Sequence, residues 1–501
     1  VQQARIIADR EFIIDALDRR VFGAFVEHLG RCIYGGIFEP GHETADEHGF
    51  RQDVLALTRE LGVTVMRWPG GNFVSGYNWR DGVGPKKERP ARLDLAWFST
   101  ETNHFGANEF IAWCRKAGVE PMMAVNLGTA GPEEARQLVE YCNHPGGTEY
   151  SDLRIAHGYP QPHGIKFWCL GNEMDGPWQI GHKNAQEYAR TALEAAKVMR
   201  WTSQDLTLAA CGSSNREMAT YGAWEHEVLE HCFEAVEFIS LHQYFHNHDD
   251  DLAKFFAHVD TLDSFVTEVA AIADGVAARR RSRKRIMLSV DEWNVWYKAR
   301  TPADLAKPGW PQAPKLLEEV YNFEDALVVG GALITLINHA DRVKTACLAQ
   351  LVNVIGAIMT ETGGPAWRQT IFHPFAQASR LARGNVLRLV TDCGSFRAGD
   401  DATAPLLLAT AVHDPASGTV AVFALNRSRE AMTLSADLRG FGSLAIAEGF
   451  ELKHDDLKAT NTRQAPHEVS PVRHPACEIS DAGLQAALKP LSWNVFALKP
   501  E

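Results

Sequence analysis

The sequence predicts an α/β protein: a (β/α)8 TIM barrel followed by an all-β sandwich of jelly-roll-like type. Three observations lead there. Eight short apolar runs of strand character recur at intervals of several tens of residues, with helical patterns between most of them. Two of these runs end abruptly in a glutamate, as a barrel strand does where it reaches the mouth. Beyond about Gly384 helical periodicity nearly vanishes, and short strands alternate with Asp, Gly, Pro and Asn turns.

The strand runs are Val21 to Glu27, Val63 to Trp68, Pro121 to Leu127, Ile165 to Asn172, Leu206 to Cys211, Phe238 to Phe245, Ile286 to Trp293 and Ala346 to Val352. Between them, Phe50 to Leu61 places Val54, Leu55, Leu57, Thr58 and Leu61 on one face at helical spacing. Asn108 to Ala117, Pro132 to Cys142, Ala185 to Met199 and Ser264 to Ala278 read the same way. Eight strands alternating with helices specify a closed barrel more readily than an open sheet. An open doubly wound sheet usually carries a Gly-rich phosphate loop after its first strand. Here the first strand runs into Glu27-His28-Leu29-Gly30, with no GxGxxG.

In the C-terminal part, Val386 to Val390, Pro405 to Val412, Thr419 to Leu425, Met432 to Leu438, Leu444 to Phe450 and Trp493 to Leu498 read as strands. The N-terminal runs Ile6-Ile7-Ala8 and Phe12-Ile13-Ile14 precede the barrel and are placed with the sandwich. The resulting division is 1–17, 18–384 and 385–501. The one basic run, Arg279 to Arg285, sits at a helix end, where cations complement the dipole and stay solvated.

A chain of 501 residues is long enough for one large domain and a smaller one. Its 45% apolar and 23% charged content is ordinary for a soluble enzyme. A net charge of −13 argues against nucleic acid or an anionic membrane as partner and is compatible with a neutral sugar. Nine dispersed cysteines with no CxxC predict a reducing compartment, not a disulfide framework. With no apolar leader and no membrane-length apolar stretch, the expectation is a cytoplasmic protein.

The chemistry is carried by Trp168-Cys169-Leu170-Gly171-Asn172-Glu173 and Leu288-Ser289-Val290-Asp291-Glu292-Trp293-Asn294. Glu173 ends the fourth strand and Glu292 the seventh. Two carboxylates facing one another across a barrel mouth can break a glycosidic bond, one attacking the anomeric carbon while the other protonates the leaving oxygen. Like charges oppose double ionisation, so one of the pair keeps a proton. Glu173 is read as general acid/base and Glu292 as nucleophile.

Gly171-Asn172-Glu173-Met174-Asp175-Gly176-Pro177-Trp178 and Asp291-Glu292-Trp293-Asn294-Val295-Trp296-Tyr297 resemble the acid/base and nucleophile segments of glycoside hydrolase family 51, the α-L-arabinofuranosidases. Phe25-Val26-Glu27-His28-Leu29-Gly30, Arg67-Trp68-Pro69-Gly70-Gly71-Asn72-Phe73, Ser240-Leu241-His242-Gln243-Tyr244 and Gln350-Leu351-Val352-Asn353 extend the likeness along the chain. The resemblance implies a barrel with a β-sandwich, a retaining mechanism without cofactor, and a homo-oligomer, commonly a hexamer. It implies exo-action on arabinofuranosyl-containing oligosaccharides, from arabinan or arabinoxylan. It further implies that Glu27, Asn72, Asn172, Tyr244 and Gln350, all near C-terminal strand ends, hold the arabinosyl ring. Trp68 departs from the family pattern, where a tyrosine is expected, and so bears on the shape of the pocket wall.

Arg67, at the end of the second strand, is placed to hold Glu292 ionised, with a salt bridge to another acid as the alternative. Gly70-Gly71 either lets the backbone approach the sugar or forms an ordinary turn. Trp178, Trp296 and Tyr297 either stack on sugar on the leaving-group side or belong to the core. His242 shares a strand face with Tyr244 and either bonds a catalytic carboxylate or is a satisfied barrel histidine. His242, His246, His248 and Asp249-Asp250-Asp251 form the one conspicuous metal-like cluster, but as a polar loop without a first-strand His-x-His it supports no catalytic metal. No GxSxG elbow is present. The competing functions are an endoglucanase or xylosidase of the same family, a non-catalytic carbohydrate-binding barrel, and a metal-dependent hydrolase.

Overall fold

The structure, a computed structural model, describes residues 1–398, 402–480 and 483–501. Eight parallel strands close into a barrel: Gly23–Phe25, Val65–Trp68, Glu120–Val125, Phe167–Leu170, Thr207–Ala210, Phe238–Phe245, Met287–Val295 and Val343–Ala349, the last returning to pair with the first. They are called the first to eighth barrel strands below. Each of the eight runs read from the sequence overlaps one of them; the third strand begins one residue earlier than its run, the seventh continues two residues further, to Val295, and the eighth begins three residues earlier, at Val343. The first strand is shorter than its run because Arg19–Phe22 forms a 3-10 turn capped by Asp18.

Helices cover the barrel with their apolar stripes inward. Gln52–Leu61 buries the five residues expected to share its inner face, and Gly62 ends it in the left-handed conformation. Ala107–Ala117, Pro132–Asn143 and Ala185–Thr202 match their patterns within a few residues. The helix before the seventh strand is much longer than expected, Leu252–Arg280, because Asp251 caps it upstream by accepting from the Ala253 and Lys254 N–H groups. The basic run closes this helix. Arg280 is in its last turn, Arg279 pairs with Glu230, Lys284 donates to the Phe233 carbonyl and Arg285 pairs with Asp341. Among the described residues no helix is long and apolar enough to cross a membrane.

Most C-terminal strands belong to one ten-stranded hydrogen-bonded order, while Ser395–Arg397 and Thr403–Pro405 pair separately. Strand Gln2–Ala16 lies inside it, antiparallel to Asn385–Cys393 and parallel to Met432–Arg439. Both ends of this sheet contribute to one apolar cluster, with Ile6, Val422, Leu434, Leu484 and Phe496 among its members, so its halves face each other as a sandwich. Strand Val420–Asn426 is buried on both faces: Val420, Val422 and Ala424 point into the sandwich, while Ala421, Phe423 and Leu425 join the barrel core. Helix Phe323–Asn338 fills the seam between barrel and sheet. Gly330 lies flat against Trp493, where an added Cβ would come within 2.7 Å of the indole.

Candidate active site

A barrel strand buries its body and frees its C-terminal tip, so residues far apart in sequence meet at the mouth. Glu27 follows the first strand, Arg67 lies in the second, and Asn172 and Glu173 follow the fourth. His242 and Tyr244 lie in the sixth strand, Asp291 and Glu292 in the seventh, and Gln350 follows the eighth. Parallel pairing sets His242 directly beside Glu292 and Tyr244 beside Asn294.

Oxygens of Glu173 and Glu292 and an imidazole nitrogen of His242 lie within 4.8 Å of one another. Glu292 accepts from Arg67 Nη1 at 2.7 Å and from the Tyr244 hydroxyl at 2.9 Å. The other Arg67 amine donates to Asn172 Oδ1 at 2.7 Å, and the guanidinium lies over the Phe25 ring at 4.7 Å. Glu173 Oε1 lies 2.9 Å from His242 Nδ1, and its Oε2 accepts from the Trp178 indole at 2.7 Å. The Glu173 backbone adopts φ 43°, a left-handed conformation that a side chain other than glycine enters only at some cost. Burial raises the Glu173 carboxyl, with the charge of Glu292 adding to the rise and His242 opposing it. The two carboxylates are held differently: Glu292 is braced by a guanidinium and a phenol, whereas Glu173 shares an imidazole and is pushed toward its protonated form.

Glu27 is 2% exposed and accepts three hydrogen bonds, from the Phe73 N–H (2.9 Å), the Trp97 indole (2.9 Å) and Gln350 Nε2 (3.1 Å). Burial pushes its carboxyl up to about 8, against those donors and helped by the charge of Glu292. Gly70-Gly71 approaches this carboxylate and not open space. A Cβ on Gly71 would fall 2.2 Å from Glu27 Oε2. Asn172 Nδ2 and Gln350 Oε1 are buried polar atoms without a protein partner. Such atoms are costly unless something completes them, and ring hydroxyls of a sugar have the matching chemistry. Asn72 opens the 3-10 turn Asn72–Gly76, where its carbonyl accepts from Gln179 at 3.4 Å.

The remaining expectations divide. Trp178 is 49% exposed and tied to Glu173, a position at the rim and not in the core. The Trp296 ring meets Tyr244 edge-on at 5.3 Å and is covered by Arg300 at 4.1 Å. Tyr297 turns away and packs against His248 and Phe255. Trp68 is not pocket wall: it is 1% exposed, stacks on Phe110 and donates to His28 Nε2 at 3.0 Å. The polar loop after the sixth strand assembles no metal-like group among the described residues. Its acids are used otherwise, Asp251 as the helix cap and Asp250 in a pair with Lys458. In the group of Glu173, His242 and Glu292, both His242 nitrogens face carboxylates and Glu292 is held by Arg67.

Two family models match the chain: the α-L-arabinofuranosidase 1 domain over residues 57–264 and the α-L-arabinofuranosidase C-terminal domain over residues 291–492. Intracellular exo-α-(1→5)-L-arabinofuranosidase 1 of Bacillus subtilis is 52% identical over 501 residues, covering all of both chains. The chain belongs to glycoside hydrolase family 51, the α-L-arabinofuranosidases. The enzyme is also 48% identical to an exo-α-(1→6)-L-arabinofuranosidase of Bifidobacterium longum, over all of this chain and 98% of that one. A solved family 51 α-L-arabinofuranosidase from Bifidobacterium longum superposes with a TM-score of 0.95 at 43% identity, covering 99% of this chain and 100% of that one.

Three residues that contact this cluster or its first-strand loop were not anticipated from the sequence. Trp97 reaches Glu27 from the hairpin Arg92–Asp94/Ser99–Glu101, which stands inside the long connection after the second strand. The apolar Leu95-Ala96-Trp97-Phe98 in that connection was the available signal. Glu101, on the same hairpin, meets His28 Nδ1 at 2.8 Å and ties the hairpin to the first-strand loop. Asp291, beside Glu292 in the seventh strand, is 1% exposed and lies 3.0 Å from His242.

Proposed function

We propose that this exo-acting α-L-arabinofuranosidase works by retaining double displacement. Glu292 attacks the anomeric carbon of a terminal α-L-arabinofuranosyl residue while Glu173 protonates the departing oxygen. Glu173 then takes a proton from water, which attacks the arabinosyl-enzyme and frees Glu292. The observation that carries this reading is the approach of the two carboxylates to within 4.8 Å. Retention needs a separation of about 5 Å, whereas inversion needs roughly 6.5–9.5 Å to admit a water. Glu27, Asn72, Asn172, Tyr244 and Gln350 hold the ring, and the unpartnered atoms of Asn172 and Gln350 support that role. Arg67 and His242 orient the acids, and Trp178 and Trp296 flank the leaving-group side.

Relatives named for exo-action on (1→5) and (1→6) linkages support terminal arabinofuranosyl groups of arabinan or arabinoxylan oligosaccharides as substrates. Relatives named intracellular, together with nine cysteines that are all free, support action inside the cell. A homo-oligomeric assembly, a hexamer, and a division into 1–17, 18–384 and 385–501 complete the proposal. The pairing of Gln2–Ala16 within the C-terminal sheet supports the division.

The test uses aryl arabinofuranosides of graded leaving-group ability. Glu292→Ala should abolish turnover on all of them. Glu173→Ala should lose far more on poor leaving groups than on good ones, since only the former need protonation. Near-native rates in both variants would refute the assignment.

A further inference from the structure

Among the described residues, His242 is the group that lies against both Glu173 and Glu292. Its Nδ1 lies 2.9 Å from Glu173 Oε1 and 3.6 Å from Glu292 Oε2. Its other nitrogen, Nε2, lies 3.0 Å from Asp291 Oδ1. Asp291 ends the line. Its second oxygen accepts from Ser289 Oγ at 3.1 Å and from Cys169 Sγ at 3.8 Å, and no part of the residue is more than 2% exposed. Both its oxygens are taken up by protein groups, and the two displacements give this buried acid no direct part.

We propose that Asp291 is a positioning residue for the acid/base: by accepting from His242 Nε2 it fixes the imidazole and leaves one proton shared between His242 Nδ1 and Glu173. The proposal rests on the assignment of Glu173 as acid/base. An ionised carboxylate only accepts, so Nε2 must carry hydrogen. The proton on the far side of the ring then has two seats, Nδ1 and Glu173 Oε1, joined by a hydrogen bond. In the first half-reaction it leaves with the aglycone oxygen as the C–O bond to the sugar breaks and the bond to Glu292 forms. In the second, water yields its proton back to the pair while its oxygen replaces Glu292 on the sugar. The proton count of the pair is restored each cycle.

The surroundings agree. Glu173 and Asp175 face the ring from the fourth-strand loop, Asp291 and Glu292 from the seventh strand. Arg67 stands beside Asp291 and Glu292 from the second strand, and Tyr244 donates to Glu292 from the ring's own strand. Burial opposes a charged imidazole, but Glu292, Asp291 and Glu173 together raise His242 to about 10. Burial also disfavours the Asp291 anion, yet the charges of Arg67 and His242 hold its carboxyl below the usual range. The sign for a variant follows. Removing the charge of Asp291 lowers the affinity of the ring for protons, so the shared proton is lost at lower pH.

The experiment is a cycle of Asp291→Asn, Glu173→Ala and the double variant, with pH profiles of kcat/KM on a poor leaving group. Asp291→Asn alone should cost about 10- to 100-fold, as loss of a hydrogen bond behind a functional histidine does, and should move the alkaline limb toward neutrality. In the Glu173→Ala background the same change should cost less than about threefold, because the proton it manages is gone. Equal losses in both backgrounds, or an unmoved limb, would overturn the inference while leaving the acid/base assignment intact. A Glu173→Ala enzyme without leaving-group dependence would overturn both. Nitrogen-15 NMR of the wild-type imidazole provides a reading free of any folding defect: His242 Nε2 should remain protonated across neutral pH, and a bare Nε2 would overturn the inference.

Discussion

The barrel mouth and the seam between barrel and sheet are equally buried and built on opposite principles. At the seam, Gly330, Leu425, Phe423 and Trp493 pack apolar surface, and Gly330 is there because only hydrogen fits beneath the indole. At the mouth, Glu27, Arg67, His242, Asp291 and Glu292 are each at most 5% exposed. Burying charge costs free energy unless each charge is paired and hydrogen-bonded. The mouth meets that demand with a web of ion pairs, then leaves Asn172 Nδ2 and Gln350 Oε1 without protein partners. The seam is built for stability and the mouth for chemistry, so substitutions in the two places should separate stability from turnover.

The largest effect should come from Arg67→Met, a mouth substitution expected to cost stability as well as turnover because it unbalances buried charge. It removes the guanidinium that donates to Glu292 and leaves His242 as the cation beside Asp291, which should cost about 3–5 kcal/mol in denaturant unfolding as well as most of kcat. A variant that kept both would show that the guanidinium is not what supports these acids. Gly71→Ala comes next. Its Cβ would collide with the Glu27 carboxylate, 2.2 Å away, and a displacement of that size should lower kcat/KM by about 100-fold while the melting temperature moves little. Gly330→Ala is the counterpart at the seam. Overpacking against Trp493 should cost roughly 1–3 kcal/mol of stability with kcat/KM unchanged. The smallest effect is expected from Trp178→Phe, which keeps the ring but removes the donor to Glu173. One hydrogen bond at a half-exposed site is worth about 0.5–1.5 kcal/mol, so kcat/KM on poor leaving groups should fall by no more than about tenfold.

The same contrast explains what could be read from the sequence. All eight barrel strands were legible because parallel strands buried on both faces are short, continuous apolar runs. Glu173 and Glu292 stood out as acids at the end of apolar runs, although the structure puts Glu173 three residues past the fourth strand and Glu292 inside the seventh, which continues to Val295. Helix Phe323–Asn338 was not, because it is buried on every side between barrel and sheet and so carries no polar face to set a period. In the sheet, Cys477–Ser480 and Gly483–Leu488 were missed because they mix half-exposed residues with few large apolar ones. Trp97 and Asp291 were hidden for another reason: what they do depends on a partner elsewhere in the chain, Glu27 for one and His242 for the other. Local sequence identifies which residues can do chemistry. Barrel closure decides which of them meet.

The central claim, that Glu292 and Glu173 break the bond by two displacements, is tested most directly by following the first-formed arabinose with proton NMR during rapid hydrolysis of an aryl α-L-arabinofuranoside. The account predicts that the α-anomer emerges first and then mutarotates. Initial release of the β-anomer would mean a single inverting displacement and would contradict it.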